Sequence, residues 1–342
     1  MFKPLATLVI ALMVASTGAA DEIHDAAESG DVLAVKNALN AGAKIDAQDK
    51  TGAQPIHIAA RAGQVEMVKF LLAAGAKIDA QNKNGAQPIH IAAYCGQAEI
   101  VTLLLAAGAK IDAQNNDGSH PIHNAALNGF AEVVKLLLAA GAKVDAQDKQ
   151  GFQPIHKAAY GGSEEVVNLL LAAGAKVDAP NIVGFQPIHS AAFNGQAEVV
   201  KLLLAAGAKI DAQDNYGNHP IQTAACCGQE EVVKLLLAAG AKVDAQGKSG
   251  KQPIHWAALN GFAKVVKHLL AAGAKVDAQD KQGFQPIHEA ARFGKTEMVK
   301  FLLAEGAKAE AKTTDGATPY SLAVKNGHKE LAQWLMEQLK TR

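Results

Sequence analysis

Residues 49 to 81 read Asp-Lys-Thr-Gly-Ala-Gln-Pro-Ile-His-Ile-Ala-Ala-Arg-Ala-Gly-Gln-Val-Glu-Met-Val-Lys-Phe-Leu-Leu-Ala-Ala-Gly-Ala-Lys-Ile-Asp-Ala-Gln. The Pro-Ile that begins at residue 55 returns at 88, 121, 154, 187, 220, 253 and 286, with Pro-Tyr at 319, always 33 residues on. A period that regular means one supersecondary unit, too small to bury its own apolar face, stacked on copies of itself. Function then has to lie in what differs between the copies.

Two short helices and a turn can be read within the unit. Pro55 has a preset φ and no amide hydrogen, which suits the first turn of a helix. Ile56, Ala59 and Ala60 fall at i, i+3 and i+4 on one face of it. Gly63 breaks that helix, and a second one runs over residues 65–74 with Val68, Leu71 and Leu72 sharing a face. Gly75, just past its end, accepts the left-handed conformation that other residues resist. Residues 76–85 carry turn residues and alternating polarity and read as a hairpin-like loop joining one helix pair to the next.

Each buried Leu or Ile contributes roughly 1.5–3 kcal/mol, so a few per repeat offset the ordering of the chain only when both neighbours are present. Atypical ends fit this requirement. Residues 21–48 form an N-terminal capping repeat that lacks the projecting loop, residues 49–312 hold eight full repeats, and residues 313–342 form a C-terminal capping repeat with polar residues for its outer side.

The pattern Gly-x-x-Pro-Ile-His-x-Ala-Ala-x-x-Gly, followed by Val-Val-Lys-Leu-Leu-Leu-Ala-Ala-Gly-Ala, resembles the ankyrin repeat and covers nearly the whole chain after residue 21. The resemblance implies an all-α solenoid of about ten 33-residue helix-turn-helix units with hairpin-like loops, serving as a protein-binding scaffold. One departure stands out. Where that family usually has Thr before the Pro, this chain has Gln54, Gln87, His120, Gln153, Gln186, His219, Gln252 and Gln285, and Thr318 alone conforms. The usual hydroxyl cap is thereby in question.

Residues 1–20 begin Met-Phe-Lys-Pro, continue as an apolar run and end Ser-Thr-Gly-Ala-Ala, the three regions of a secretory signal peptide, with cleavage expected after Ala20. No cysteine precedes Cys95, which excludes a lipid-modified cysteine at the cut. The expected product is an exported protein, periplasmic or secreted, of the bacterial type, with no membrane insertion after cleavage. Removing residues 1–20 takes away Lys3 and no acid, so 33 basic and 33 acidic residues become 32 and 33. With that balance, and with lysines spread one or two per repeat, nucleic acid is a poor partner, because attraction to phosphate needs a basic patch or stripe. A monomer that binds another protein is expected.

Three groups of residues are candidates for chemistry. Eight histidines, His24, His57, His90, His123, His156, His189, His255 and His288, occupy one repeat position, and Gln222 takes the same place in another copy. Their regularity argues for architecture; in the resembled family this imidazole bonds between adjacent repeats, and an amide can serve a similar network. Aspartates 46, 79, 112, 145, 178, 211, 244 and 277 each follow a lysine by two residues and suggest exposed Lys/Asp ladders. Successive members, roughly 10 Å apart, are too distant to share a cation. His219, Cys226 and Cys227 are the one irregular soft-ligand group, but a helix would hold His219 about 10 Å from Cys226, so no metal site, cofactor or catalytic residue is expected. Cys95 and Cys227, four repeats apart, are about 35 Å from one another and cannot pair. No phosphate loop, nucleophile elbow or zincin helix supports an enzyme.

The copies disagree around the loop glycine and on the outward side of the first helix, positions that in an ankyrin-like stack line the concave face and the fingertips. There lie Tyr94, Phe152, Tyr160, Phe185, Phe193, Tyr216, Trp256, Phe284 and Phe293, nine of the chain's sixteen aromatics, with Leu127, Ile182, Val183 and Leu259. Aromatics dominate contact energetics, and a contiguous apolar patch marks an interaction surface. The expectation is a non-catalytic protein-binding scaffold with its strip centred on residues 152–260. The alternative is a secreted effector engaging a protein of a host or neighbouring cell, and a Cys/His metal- or thiol-dependent activity is the remote third. Residues 148–156 recur 132 residues later, which points to copying of four-repeat blocks with their aromatics.

Overall fold

The computed structural model describes residues 22–340; the signal-like segment, residues 1–20, lies outside them. Among the described residues there are twenty helices and no strand. Helix α1 covers residues 22–29 and α2 Val32–Asn40. The pairs that follow are α3 (Pro55–Ala62) with α4 (Val65–Ala73), α5 (Pro88–Tyr94) with α6 (Ala98–Ala106), α7 (Pro121–Leu127) with α8 (Ala131–Ala139), and α9 (Pro154–Gly161) with α10 (Glu164–Ala172). Next come α11 (Pro187–Phe193) with α12 (Ala197–Ala205), α13 (Pro220–Cys226) with α14 (Glu230–Ala238), and α15 (Pro253–Asn260) with α16 (Ala263–Ala271). The last are α17 (Pro286–Arg292) with α18 (Thr296–Ala304), and α19 (Pro319–Lys325) with α20 (Lys329–Lys340). This is the helix-loop-helix pattern of an ankyrin-type solenoid of about ten repeats.

The ends of the helices follow from the residues there. Pro stands at the first position of each first helix from α3 on, where its missing N–H is one that would have no intrahelical partner anyway. Past α4, Gly75 turns left-handed at φ 96°, so that its N–H reaches Leu72 O at 3.1 Å and that of Ala76 reaches Leu71 O at 2.9 Å. These two bonds close the helix by satisfying carbonyls that would otherwise be left open.

The described residues form two compact units: residues 22–158 with Glu165–Ala175, and Ala159–Glu164 with residues 176–340. In the first, α3, α5 and α7 stack in order, each also packed on its own second helix. In the second, α11, α13, α15, α17 and α19 do the same. The core of a repeat is thin: Ile56, Ala59 and Ala60 from the first helix are fully buried, and the alanines let neighbouring helices approach closely. From the second helix the buried set is Met67, Val68 and Leu71. Leu72, expected on that face, is half-buried at its edge, and the residue at 67 takes its place.

Each loop is hairpin-like without being a strand pair. Asn82 N–H donates to Ala86 O at 3.1 Å and Gly85 N–H to Asn82 O at 2.9 Å. Loop tips join to one another through a recurring backbone bond, Lys83 N–H to Thr51 O at 3.0 Å in the first unit and Lys248 N–H to Tyr216 O at 2.8 Å in the second, and side chains such as Lys83 Nζ, on Lys50 O at 2.8 Å, and Asn215 Nδ2, on Ile182 O at 3.1 Å, add to it. Gly52 sits at the joint with φ 77°, where a Cβ would come within 2.9 Å of the Lys83 nitrogen. The recurring bond uses main chain only, so it persists where the tip side chain changes. The expected Lys/Asp ladders do not form ion pairs among the described residues. Both partners stand exposed in water, where such a pair gains little.

Candidate functional site

The repeated histidine welds each first helix to the following loop. The Gln54 N–H donates to His57 Nδ1 at 3.1 Å, so the ring proton sits on Nε2, which donates to Ala80 O at 3.0 Å and Ala86 O at 3.1 Å. His90 and His123 repeat this geometry in the first unit, and His156 Nδ1 accepts from Gln153 N–H at 3.1 Å. In the second unit His189, His255 and His288 accept in the same way and donate to Asn218, Phe284 and Ala311 carbonyls respectively. Burial disfavours the imidazolium and holds these rings neutral. His57, His255 and His288 are pushed below the ordinary histidine range, and His90, His123 and His189 down to about 4, the carbonyl bonds offsetting only part of the effect.

With its helix and loop fixed from behind, the opposite side of the first helix is left to present side chains. The second loop-based clamp is an Asx turn: one oxygen of Asp214 accepts from the N–H groups of Tyr216 and Asn218, both at 2.8 Å, which holds the Tyr216 tip in place. Gln196 Nε2 and Asn194 Nδ2 donate to Tyr160 O at 3.1 and 2.9 Å, tying Tyr160 to the next repeat through its backbone.

The sequence-predicted residues divide by environment. In the first unit Tyr94 is half-exposed, at 51%, while Leu127 and Phe152 are half-buried; Lys157 lies over the Phe152 ring at 4.6 Å. In the second unit Tyr160, Phe193, Ile182, Val183 and Tyr216 are exposed, the last at 64%. The rings of Tyr160 and Phe193 lie 6.2 Å apart and tilted by 31°. Phe185 is half-buried and stacks on His189 at 5.0 Å. Trp256, Leu259 and Phe284 are half-buried, Trp256 beneath Lys251 at 5.0 Å, and Arg292 sits over both Phe284 and the exposed Phe293. The predicted row is therefore uneven: Tyr94 and Phe293 stand exposed towards its two ends, and the densest group of exposed apolar side chains lies over residues 160–216.

Two buried ion pairs on this side escaped the sequence reading. Lys157 Nζ lies 2.8 Å from Asp148 Oδ2, and Lys251 Nζ 2.7 Å from Glu289 Oε1; each carboxylate side chain is 1% exposed. They neutralise charge on the face rather than offer it. Asp148 and Lys157 lie in one repeat, nine residues apart, whereas nothing in a single repeat signals the second pair, because Lys251 and Glu289 come from neighbouring repeats and different repeat positions.

His219, Cys226 and Cys227 do not converge. His219 Nε2 is bonded to Gln213 Nε2 at 3.1 Å in a groove with Asp211 and Lys242, whereas the two cysteines line a separate pocket with Trp256. Among the described residues no three His, Cys, Asp or Glu side chains are grouped to hold a metal. The His219 groove, about 660 Å³, matches one of about 680 Å³ beside His120, so it is a product of the repeat and not a singular site. No helix among the described residues is long and apolar enough to cross a membrane.

Comparison with curated protein sequences finds no match. Comparison with protein families does: the model described as "Ankyrin repeats (3 copies)" matches residues 23–115, 105–181, 174–247 and 254–341, and that described as "Ankyrin repeats (many copies)" matches residues 228–270. Repeats of this family serve generally as protein-binding scaffolds. The matches run through the helical array that carries the histidine welds, and the chain belongs to the ankyrin repeat family.

Proposed function

We propose that this chain is a non-catalytic scaffold acting outside the cytoplasm, which holds a protein partner on the first-helix and loop side of its second unit. The observation that carries the reading is the exposed apolar group Tyr160, Ile182, Val183, Phe193 and Tyr216. Side chains of this kind left in water gain free energy when a partner covers them, and aromatic anchors supply most of it. The remaining variable positions between residues 182 and 227 are uncharged, among them Ser190, Thr223, Asn215 and Asn218. The partner segment is accordingly apolar and uncharged, and weakly sensitive to salt, unlike a charge-steered complex. Leader-like residues 1–20 support export, to the periplasm or beyond the cell.

The test combines Tyr160→Ser, Phe193→Ser and Tyr216→Ser in one variant. Helical circular dichroism should be unchanged, because exposed positions contribute little to stability. Crosslinking in the native compartment should lose the protein that the wild type captures, while a control variant at the exposed Glu66 and Lys69 of α4 keeps it. Equal capture by both variants overturns the assignment of the face, and finding the chain in the cytosolic fraction overturns the location.

A further inference from the structure

One feature of the second unit has no part in the welds or in the exposed row. Cys226 ends α13 and Cys227 caps it, which puts two thiols on adjacent residues. Both line a pocket of about 170 Å³ whose other walls include Phe185, Phe193, Thr223 and Trp256. That volume is close to the roughly 150 Å³ that takes up one benzene ring in an apolar cavity.

Three groups beside Cys226 favour its thiolate. They are the neighbouring Cys227 thiol, Asn260 Nδ2, which donates to the Cys226 sulfur at 3.5 Å, and the Lys251 ammonium in the loop before α15. Glu289 pairs with Lys251, and Asp214, which also lines the pocket, has one carboxylate oxygen taken up by the Tyr216 and Asn218 backbone N–H groups. The Cys227 thiol leads the effects that hold the Cys226 thiol below its ordinary range, against the opposing pull of burial; Cys227 is pushed up. Cys95 is an internal reference. It holds the same repeat position as Cys227, has Tyr94 instead of a thiol before it, and is pushed up by burial.

We propose that this pocket is a covalent capture site for a small disulfide carrying an uncharged aromatic or apolar group, with Cys226 as the nucleophile. The Cys226 thiolate attacks one sulfur of R–S–S–R, and a new S–S bond forms between Cys226 and R–S. The old S–S bond breaks, and its electron pair leaves on the second sulfur as R–S⁻, which takes a proton from water. The disulfide is the oxidant, and Cys226 is oxidised by it. The group R fills the ring-sized pocket against Trp256. Closure onto Cys227 is disfavoured, because both cysteines keep near-helical backbone, where successive side chains diverge by about 100° and a bond would need them within reach of a Cβ–Cβ distance near 3.8 Å.

The full chain is treated with 4,4′-dithiodipyridine, an uncharged aromatic disulfide, and thiopyridone release is followed while the adduct is mapped by mass spectrometry. One equivalent should be released in a fast phase at pH 7, at least about tenfold faster than reaction at Cys95 in the same molecules. The adduct should remain on Cys226, with a change in Trp256 fluorescence. Cys227→Ala keeps the nucleophile and removes the adjacent thiol, so the pH midpoint of the fast phase should rise. Equal rates at Cys95 and Cys226 overturn the proposal. So does a product two hydrogens lighter with no adduct, a midpoint unmoved in Cys227→Ala, or an equally fast reaction with a similarly sized charged disulfide. The comparison of Cys95 with Cys226 is made within the wild type and needs no variant to fold.

Discussion

The repeat at residues 82–114, in the first unit, and the one at 214–246, in the second, share a frame and differ at the places that matter. His90 becomes Gln222, Gln87 becomes His219 and Tyr94 becomes Cys226. The frame absorbs the first change: Gln222 Oε1 accepts from His219 N–H at 2.9 Å and its Nε2 donates to Lys251 O at 2.7 Å, which keeps both sides of the imidazole weld with one carbonyl in place of the two that His90 reaches. The repeat thus separates geometry, which has to be kept, from chemistry, which can be exchanged position by position.

The largest effect should show the frame to be common to both. Ile89 and Ile221 occupy the same position and are 0% and 1% exposed. Truncating either to Ala removes buried area and leaves a cavity between helices that cannot fully collapse, for a loss of about 2–5 kcal/mol. Denaturant unfolding of the two variants should give losses within about 1 kcal/mol of one another. A difference well beyond that would show that the two repeats are not energetically equivalent, whatever their geometry.

That frame was readable from the chain because every copy states it again. Pro55, Ile56, Ala59 and Gly75 have one interpretation at a 33-residue period, and the helices begin and end where those residues place them. The second helix was read one position off at Leu72, because adjacent apolar residues at 71 and 72 do not by themselves say which side faces the neighbouring repeat. The candidate face was harder to read, since exposure there depends on residues far away in sequence. Phe152, Trp256 and Phe284 look like Tyr216 in a list of variable positions, yet each is half-buried under Lys157, Lys251 or Arg292. The environment of Cys226 draws on Asn260, 34 residues on, and on Lys251 from the next loop. A period reveals what is repeated, and these contacts occur once.

The next effect separates the two repeats by pH. His90 is pushed down to about 4 by burial, with His120 and His57 nearby acting in the same direction. A histidine whose folded pKa lies below its ordinary value of about 6.5 contributes stability that is complete above about pH 6.5 and is lost as pH falls toward 4. The size of that contribution is on the order of 3 kcal/mol. Gln222 has no proton to gain. His90→Gln should therefore unfold in urea within about 1 kcal/mol of the wild type at pH 7, and become relatively more stable as the pH approaches 4. A variant that loses stability in parallel with the wild type from pH 6.5 to 4 would show that His90 is not among the groups behind acid unfolding.

The smallest effect concerns the residue before the proline. Thr318 has the family's usual hydroxyl, which accepts from Ser321 N–H at 3.1 Å, whereas Gln87 and His219 make no side-chain bond to their helix ends. A hydroxyl is short enough to reach the third N–H of the helix, and a long amide or imidazole in its place is turned aside. Gln87→Thr should raise stability by about 0.5–1 kcal/mol, the usual worth of an N-cap. His219→Thr should gain less, because it also gives up the 3.1 Å bond between His219 and Gln213. Thermal unfolding of the two variants would order them. Equal gains would mean that the Gln213 bond, exposed to water, contributes nothing to the second repeat, and no gain in either would mean that the histidine weld at the adjacent N–H already supplies all the capping these helices can use.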